Sequence, residues 1–295
     1  MNPIVAALPE GAVVCDVRWY LDGRPGVDAY RAGHIPGAVF VDLDRWLAGP
    51  PSAAEGRHPL PDPDVFAEGM ASLGIGDDSV VVAYDDLGGM VAGRLVWMLR
   101  VLGRDAALLD GGLSSWTGPL ESGWNEPTPR PGAFTARPWP ADRLATADEV
   151  ASPAGATVVV DARAGDRYRG EVEPVDPRAG HIPGAVNVPF AENLLAPGGF
   201  FRPADELRAR FTAAGIGDDT DVVATAAPAS APATTCWPWK RPGSDPAGSI
   251  PVRGRSGAPT RPARWPLATE PRLFWPVQAL WRSERATERW MRATP

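Results

Sequence analysis

The side chains able to do nucleophilic, acid–base or anion-holding chemistry are few, and most fall at repeated positions. Cys15 and Cys236 are the two candidate thiolate nucleophiles. Cys15 stands in the apolar run Val13-Val14-Cys15, where a thiol is expected to be buried and inert. Cys236 has Lys240 and Arg241 nearby to lower its pKa, but prolines surround it and no strand precedes it. His34 and His181 suit acid–base work; the favoured reading is that each fixes a turn ahead of Pro36 or Pro183. Asp16 and Asp161 end apolar runs as Asp-x-Arg, which points to a structural carboxylate paired with arginine. Arg163, Arg167 and Arg178 carry planar forks that match a carboxylate or sulfonate in two-pronged fashion. The same arginines could equally lie on the surface or be tied to Asp161.

What must position these groups is a duplicated module. Arg31-Ala32-Gly33-His34-Ile35-Pro36-Gly37-Ala38 returns letter for letter at Arg178 to Ala185. Upstream, Ala12 to Arg18 and Thr157 to Arg163 each read as a buried strand ending in Asp-x-Arg. Downstream, each copy predicts a helix, over 62–73 and 203–214, with Asp62 and Pro203 as start signals. Each helix runs into Gly-Ile-Gly-Asp-Asp, at 74–78 and 215–219, where glycine suits a left-handed cap. Buried strands follow over 79–84 and 220–224. Copy one continues with the loop 85–90, a helix over 91–102, a strand over 106–109, and Gly111-Gly112-Leu113-Ser114-Ser115-Trp116. Strands alternating with helices predict an α/β protein with parallel sheets covered on both faces. The expected division is 1–125 for the first domain, a Pro-rich linker over 126–145, an incomplete second domain over 146–224, and an aberrant tail over 225–295.

Composition narrows the possible partners. The chain is 295 residues, 44% hydrophobic and 22% charged, which fits two globular domains. A net charge of −7 gives no basic footprint for nucleic acid. No apolar run approaches a membrane span, and the N-terminus does not read as a signal peptide. Two cysteines in unlike contexts predict no disulfide framework and a cytoplasmic protein.

A strand ending in Asp-x-Arg, then Gly-His-Ile-Pro-Gly-Ala, then strand, loop and helix, and a Gly-Gly-x-x-x-Trp segment, resembles the rhodanese family. Two tandem copies with Arg167-Tyr168-Arg169-Gly170 before the second Gly-His-Ile-Pro-Gly-Ala are similar to the thiosulfate and 3-mercaptopyruvate sulfurtransferases. The resemblance covers about residues 1–224. It implies two rhodanese-like domains and a cysteine in the loop after the central strand of copy two. The loop's converging N–H groups and the next helix N-terminus would lower that thiol's pKa. The thiolate attacks the outer sulfur of the donor, thiosulfate or 3-mercaptopyruvate, and becomes a persulfide. A thiol or cyanide then takes the sulfur. No metal or organic cofactor is implied. Arg167 is the best match to a substrate arginine, Arg163 follows, and Arg178 is a possible second clamp at a spacing that departs from the family's.

In copy one the nucleophile position holds Asp85, which cannot form a persulfide, so this domain is expected to be a non-catalytic scaffold. In copy two the position is Ala226, and the repeat stops at Thr225. Residues 225–295 carry 11 Lys+Arg against 4 Asp+Glu and half of the 12 Trp, unlike the rest of the chain. Back-translating from Thr225 with G/C-leaning codons and restoring one T gives Tyr-Cys-Gly-Ser-Gly-Val, a sulfurtransferase-like loop. Pro251 to Ser256 then re-reads as Gly-Ser-Trp-Ser-Gln-Trp, in the place of Gly111 to Trp116. A frameshift is therefore the expected origin of the tail, in preference to an RNA- or membrane-binding segment, and the chain as written is expected to be inactive. Gly-Ser-Gly-Val resembles the mercaptopyruvate type of loop, whereas a charged loop suits thiosulfate. The alternative is a non-catalytic binding or regulatory module. A phosphatase on a related fold would need a cysteine in a longer arginine-bearing loop, and none is visible.

Overall fold

Parallel pairing gathers the apolar runs of each copy into a sheet of its own. The computed structural model describes residues 1–52, 56–153, 155–174, 179–225 and 272–274. The first sheet contains β1 (Ile4–Val5), β2 (Val13–Asp16), β3 (Val39–Phe40), β4 (Val80–Tyr84) and β5 (Asp105–Leu109). Its order is β1-β5-β4-β2-β3, parallel throughout. Val, Ala and Leu dominate β4 and β5, as a strand covered on both faces requires. The second sheet contains β6 (Leu144–Ala145), β7 (Val158–Asp161), β8 (Val186–Asn187), β9 (Val222–Thr225) and β10 (Arg272–Phe274). Its order, β6-β10-β9-β7-β8, repeats the first strand for strand.

That repetition departs from the expected loss of copy two's last strand. Arg272–Phe274 lies in the stretch assigned to the tail, yet it fills the slot that β5 occupies in copy one. It pairs with β6 through Leu273↔Leu144 and with β9 through Leu273↔Ala224. A parallel slot between two strands offers backbone donors and acceptors on both sides, and three extended residues meet that requirement without any motif.

Helices begin and end where local chemistry dictates. In copy one these are α1 (Gly26–Ala32), α2 (Pro63–Ser72) and α3 (Ala92–Val101). The Asp62 carboxylate accepts from Asp64 N at 2.8 Å, and Pro63 takes the first turn, where its missing N–H costs nothing. At the other end Gly74 adopts φ +78°, and Ile75 N closes on Met70 O at 2.9 Å. Copy two contributes α4 (Ala147–Ala151), α5 (Gly165–Arg169) and α6 (Ala204–Ala213). Gly215 and Ile216 close α6 in the same way, through Ile216 N to Phe211 O. Helix α3 buries eight consecutive residues, Ala92 to Leu99, and packs on β4 and β5. Its copy-two counterpart falls outside the described residues.

The Pro-rich segment expected to be a linker is docked on the first domain. Phe134 is buried edge-on against Phe66, and Trp139 Nε1 donates to Pro61 O at 2.8 Å. Thr135 N and Oγ1 donate to the two oxygens of Asp77, which also pairs with Arg104 at 2.7 Å. Burying Phe134 contributes about 2–3 kcal/mol, more than a free tether would gain.

The domains meet through copy one's loop after β4. A side chain at Gly88 would collide with Leu194 Cδ1 at 2.6 Å, and one at Gly198 would meet Asp86 O at 2.9 Å. Phe201 N donates to Asp110 Oδ1 at 2.9 Å across the same contact. No described helix is long and apolar enough to cross a membrane.

Candidate functional site

The loop after β4 is a cradle of backbone donors. Asp85 is fully buried at the strand's end, where α3 begins. Its Oδ1 accepts from Leu87 N at 2.9 Å and Gly89 N at 2.7 Å; its Oδ2 accepts from Val91 N at 2.7 Å and Ala92 N at 2.8 Å. Burial pushes this carboxyl upward from its ordinary range, and the four N–H bonds pull against that shift. Four donors on two oxygens use every acceptor site a carboxylate has, so the geometry is that of the anion. Gly88 and Gly89, at φ +71° and +92°, let the loop turn its N–H groups inward. Copy one thus holds an anion site at its expected nucleophile position, and its own side chain fills it.

The equivalent Ala226 lies outside the described residues, as do Arg178, Cys236, Lys240 and Arg241. Cys15 is buried in β2, and burial raises its thiol well above the usual range, with Asp16 adding to the shift. That places it far from nucleophilic use.

The Asp-x-Arg ends of β2 and β7 fold alike. Arg18 Nη2 pairs with Asp16 Oδ2 at 2.7 Å and donates to Gly33 O at 2.7 Å. Arg163 Nη2 pairs with Asp161 Oδ2 at 2.7 Å and donates to Gly180 O at 2.6 Å. Arg163 is therefore held by the same turn-closing bonds as Arg18. The histidines match too. His34 stacks on Tyr30 and His181 on Tyr168, and each ring Nδ1 donates to that tyrosine's carbonyl, at 2.8 and 2.7 Å. The Tyr30 and Tyr168 hydroxyls donate to Ala38 O and Ala185 O, closing the turn. Both histidines are engaged as turn fixtures.

Arg167 breaks the symmetry. It lies on α5 at the position of copy one's Ala29, and its Nη2 meets Glu173 Oε1 at 2.5 Å. Glu173 Oε2 reaches Arg163 Nη1 at 3.4 Å. Arg163 and Arg167 are thus brought together, with a carboxylate between them. Glu173 carried no signal in the sequence reading, because it lies in a segment with no counterpart in copy one.

The sequence reading also missed His58 and Asp44. His58 Nε2 lies 3.4 Å from Asp44 Oδ1, Trp19 Nε1 donates to Asp44 Oδ2 at 3.2 Å, and Trp19 meets the His58 ring edge-on. Burial, then the nearby Arg94 charge, lowers the imidazole to about 4, so it is neutral at ordinary pH. His58 Nδ1 is buried with no hydrogen-bond partner among the described residues. Arg94 below it donates to the carbonyls of Leu47, His58 and Pro59. A neutral imidazole beside a carboxylate can accept a proton, but this pair is non-local and no motif announces it.

Two parallel α/β sheets of the same strand order, each with an Asp-x-Arg strand end and a His–Tyr turn, and a donor-lined loop after the central strand of copy one, define a tandem rhodanese-like protein. The comparisons agree. The rhodanese-like domain model matches residues 6–119. A Pseudomonas aeruginosa protein named "Probable 3-mercaptopyruvate sulfurtransferase" is 44% identical over 210 residues, covering 68% of this chain and 72% of that one. The thiosulfate sulfurtransferase of Bos taurus is 37% identical over 225 residues, covering 73% and 74%. The crystal structure of Escherichia coli SseA, a 3-mercaptopyruvate sulfurtransferase, superposes with a TM-score of 0.66 at 32% identity, covering 78% of this chain and 87% of that one. The chain belongs to the rhodanese family of sulfurtransferases.

Proposed function

We propose that this chain derives from an enzyme that moves sulfane sulfur from thiosulfate or 3-mercaptopyruvate to a thiol or cyanide, with the chemistry assigned to copy two. The observation that carries this is the asymmetry between the copies. Copy one's anion cradle is filled by Asp85, while copy two alone places a second arginine, Arg167, beside the shared Arg163. Two guanidinium groups facing one carboxylate are suited to an anionic donor. In the reaction a thiolate attacks the donor's outer sulfur, the bond to that sulfur breaks, and the leaving group departs with the electron pair. The enzyme persulfide then yields its outer sulfur to the acceptor, regenerating the thiolate.

Ala226 cannot take that role, and we assign the loss to a frameshift near codon 225. Copy one serves as the non-catalytic scaffold. On its cysteine usage the protein belongs in the cytoplasm. Thiocyanate formation from thiosulfate and cyanide, and pyruvate release from 3-mercaptopyruvate, test the reading. The expected result is no turnover by the chain as written and turnover once the upstream frame is restored. Turnover by the present chain, abolished by Cys236→Ala, overturns the assignment of Ala226. A gene whose codons 220–230 share one frame with an intact close relative removes the frameshift.

The second reading is a non-catalytic binding module. Asp85 supports it, because a cradle closed by its own carboxylate is one way a rhodanese domain persists without chemistry. Inactivity after the frame is restored favours it.

A further inference from the structure

Glu173 stands between the two arginines that the proposed function assigns to the donor anion. The distance from the stacked tyrosine to its histidine is four residues in copy one, Tyr30 to His34, and thirteen in copy two, Tyr168 to His181. Copy two therefore carries an insertion within a turn that is otherwise preserved down to its hydrogen bonds. Glu173 lies in that insertion, and Arg167 replaces Ala29 just ahead of it. The two residues present only in copy two have found each other, with Glu173 Oε1 on Arg167 at 2.5 Å and Oε2 reaching to Arg163 at 3.4 Å. The glutamate side chain is only 6% exposed and that of Arg163 8%. One carboxylate bridging two guanidinium groups is also the arrangement a planar donor anion would adopt.

We propose that Glu173 is a built-in competitor for the donor anion: its carboxylate holds Arg167 and gives way to the donor's carboxylate or sulfonate. This rests on the reading of Arg167 as a donor-binding residue and adds a specificity-determining role for Glu173. The physical argument is charge. With Glu173 in place, bringing a further anion to Arg167 sets two negative groups against one fork, which is costly where water is scarce. Only an anion that binds better than the resident carboxylate displaces it. The occupied guanidinium is also held oriented while it waits, so the donor meets a formed fork.

Isothermal titration of the full chain with thiosulfate, and separately with pyruvate as a thiol-free carboxylate, tests this. Glu173→Gln keeps the shape and removes the charge, and it is expected to bind either probe about tenfold tighter than the unmodified chain. Adding Arg167→Gln to that variant is expected to abolish the gain. A merely structural glutamate predicts the opposite sign, since loosening Arg167 weakens binding. Binding by Glu173→Gln that is unchanged, weaker or undetectable overturns the inference. Glu173→Asp is the second variant should Glu173→Gln fail to fold by near-ultraviolet circular dichroism. Its shorter carboxylate cannot span both guanidinium groups, so tighter binding supports the inference and equal or weaker binding overturns it. Binding by Glu173→Gln but not by the unmodified chain upholds the competitor. Failure of sulfur transfer after frame restoration, by contrast, overturns the catalytic reading and leaves this binding result intact.

Discussion

His34 and His181 occupy the same turn of the same eight-residue segment and make the same bond to the same tyrosine, yet His34 is 0% exposed and His181 lies open. The difference comes from later in the chain. After β5, copy one sends Trp116 to Asn125 back across its turn. His34 N donates to Glu121 O and Glu121 N to His34 O, both at 2.9 Å. Gly37 N donates to Glu121 Oε2, and Asn125 Nδ2 to His34 Nε2 at 3.1 Å. With Tyr30 O on Nδ1 and Asn125 on Nε2, both sides of the ring are engaged and the copy-one turn is sealed. Among the described residues nothing comparable covers His181. A conserved turn between two copies thus reproduces local hydrogen bonding faithfully, while burial depends on distant chain.

The comparison can be broken first at Asp85. Asp85→Ala leaves four buried N–H groups without their acceptor, and it is expected to destabilise the first domain by about 4 kcal/mol, read from urea unfolding. Asp85→Cys places a thiol in the same cradle, and its pKa is expected below the ordinary value of about 8.5, read from the pH dependence of alkylation. A thiol titrating at or above that value would show that the copy-one loop does not stabilise an anion.

The strand-end pairs come next. Arg18→Ala and Arg163→Ala each expose a buried aspartate, and each is expected to cost about 3–5 kcal/mol. A much smaller loss for Arg163→Ala would mark it as a binding residue rather than a turn closure.

A third expectation concerns pH. His58 titrates near 4 in the folded protein against about 6.5 unfolded. As pH falls below 6.5 the unfolded chain takes up a proton that the native chain refuses. Stability is therefore present above 6.5 and declines between about 6.5 and 4, by up to about 3 kcal/mol. His58→Gln is expected to flatten that slope in chemical denaturation measured across pH. An unchanged slope would assign the loss to other groups.

The smallest effect separates the two turns directly. His34→Ala is expected to cost about 2 kcal/mol, and His181→Ala about 1 kcal/mol or less, because only His34 leaves buried partners behind. Equal losses in unfolding would mean that His181 is covered in solution.

Short-range signals carried much of this molecule. Asp62 before Pro63 fixed one helix start, and Gly74 and Gly215 two ends, because caps depend on residues within a turn of one another. The strands read correctly because a strand buried on both faces has to be apolar throughout. The Asp-x-Arg pairing was legible for the same reason, since Arg18 and Arg163 close on a carboxylate two residues away. Edge strands β1 and β6 were not legible, being two residues each and without a period.

The sequence by itself therefore determined the duplication and the family, since these are matters of residue identity at matched positions. Only the tertiary structure decided that Asp85 is bound by four N–H groups, that Phe134 docks the supposed linker, that Arg272–Phe274 completes a sheet, and that Glu173 sits between Arg163 and Arg167. Each of these contacts depends on where a loop carries its side chains or on partners far apart in the chain, and no local pattern of residues encodes the path that brings them together.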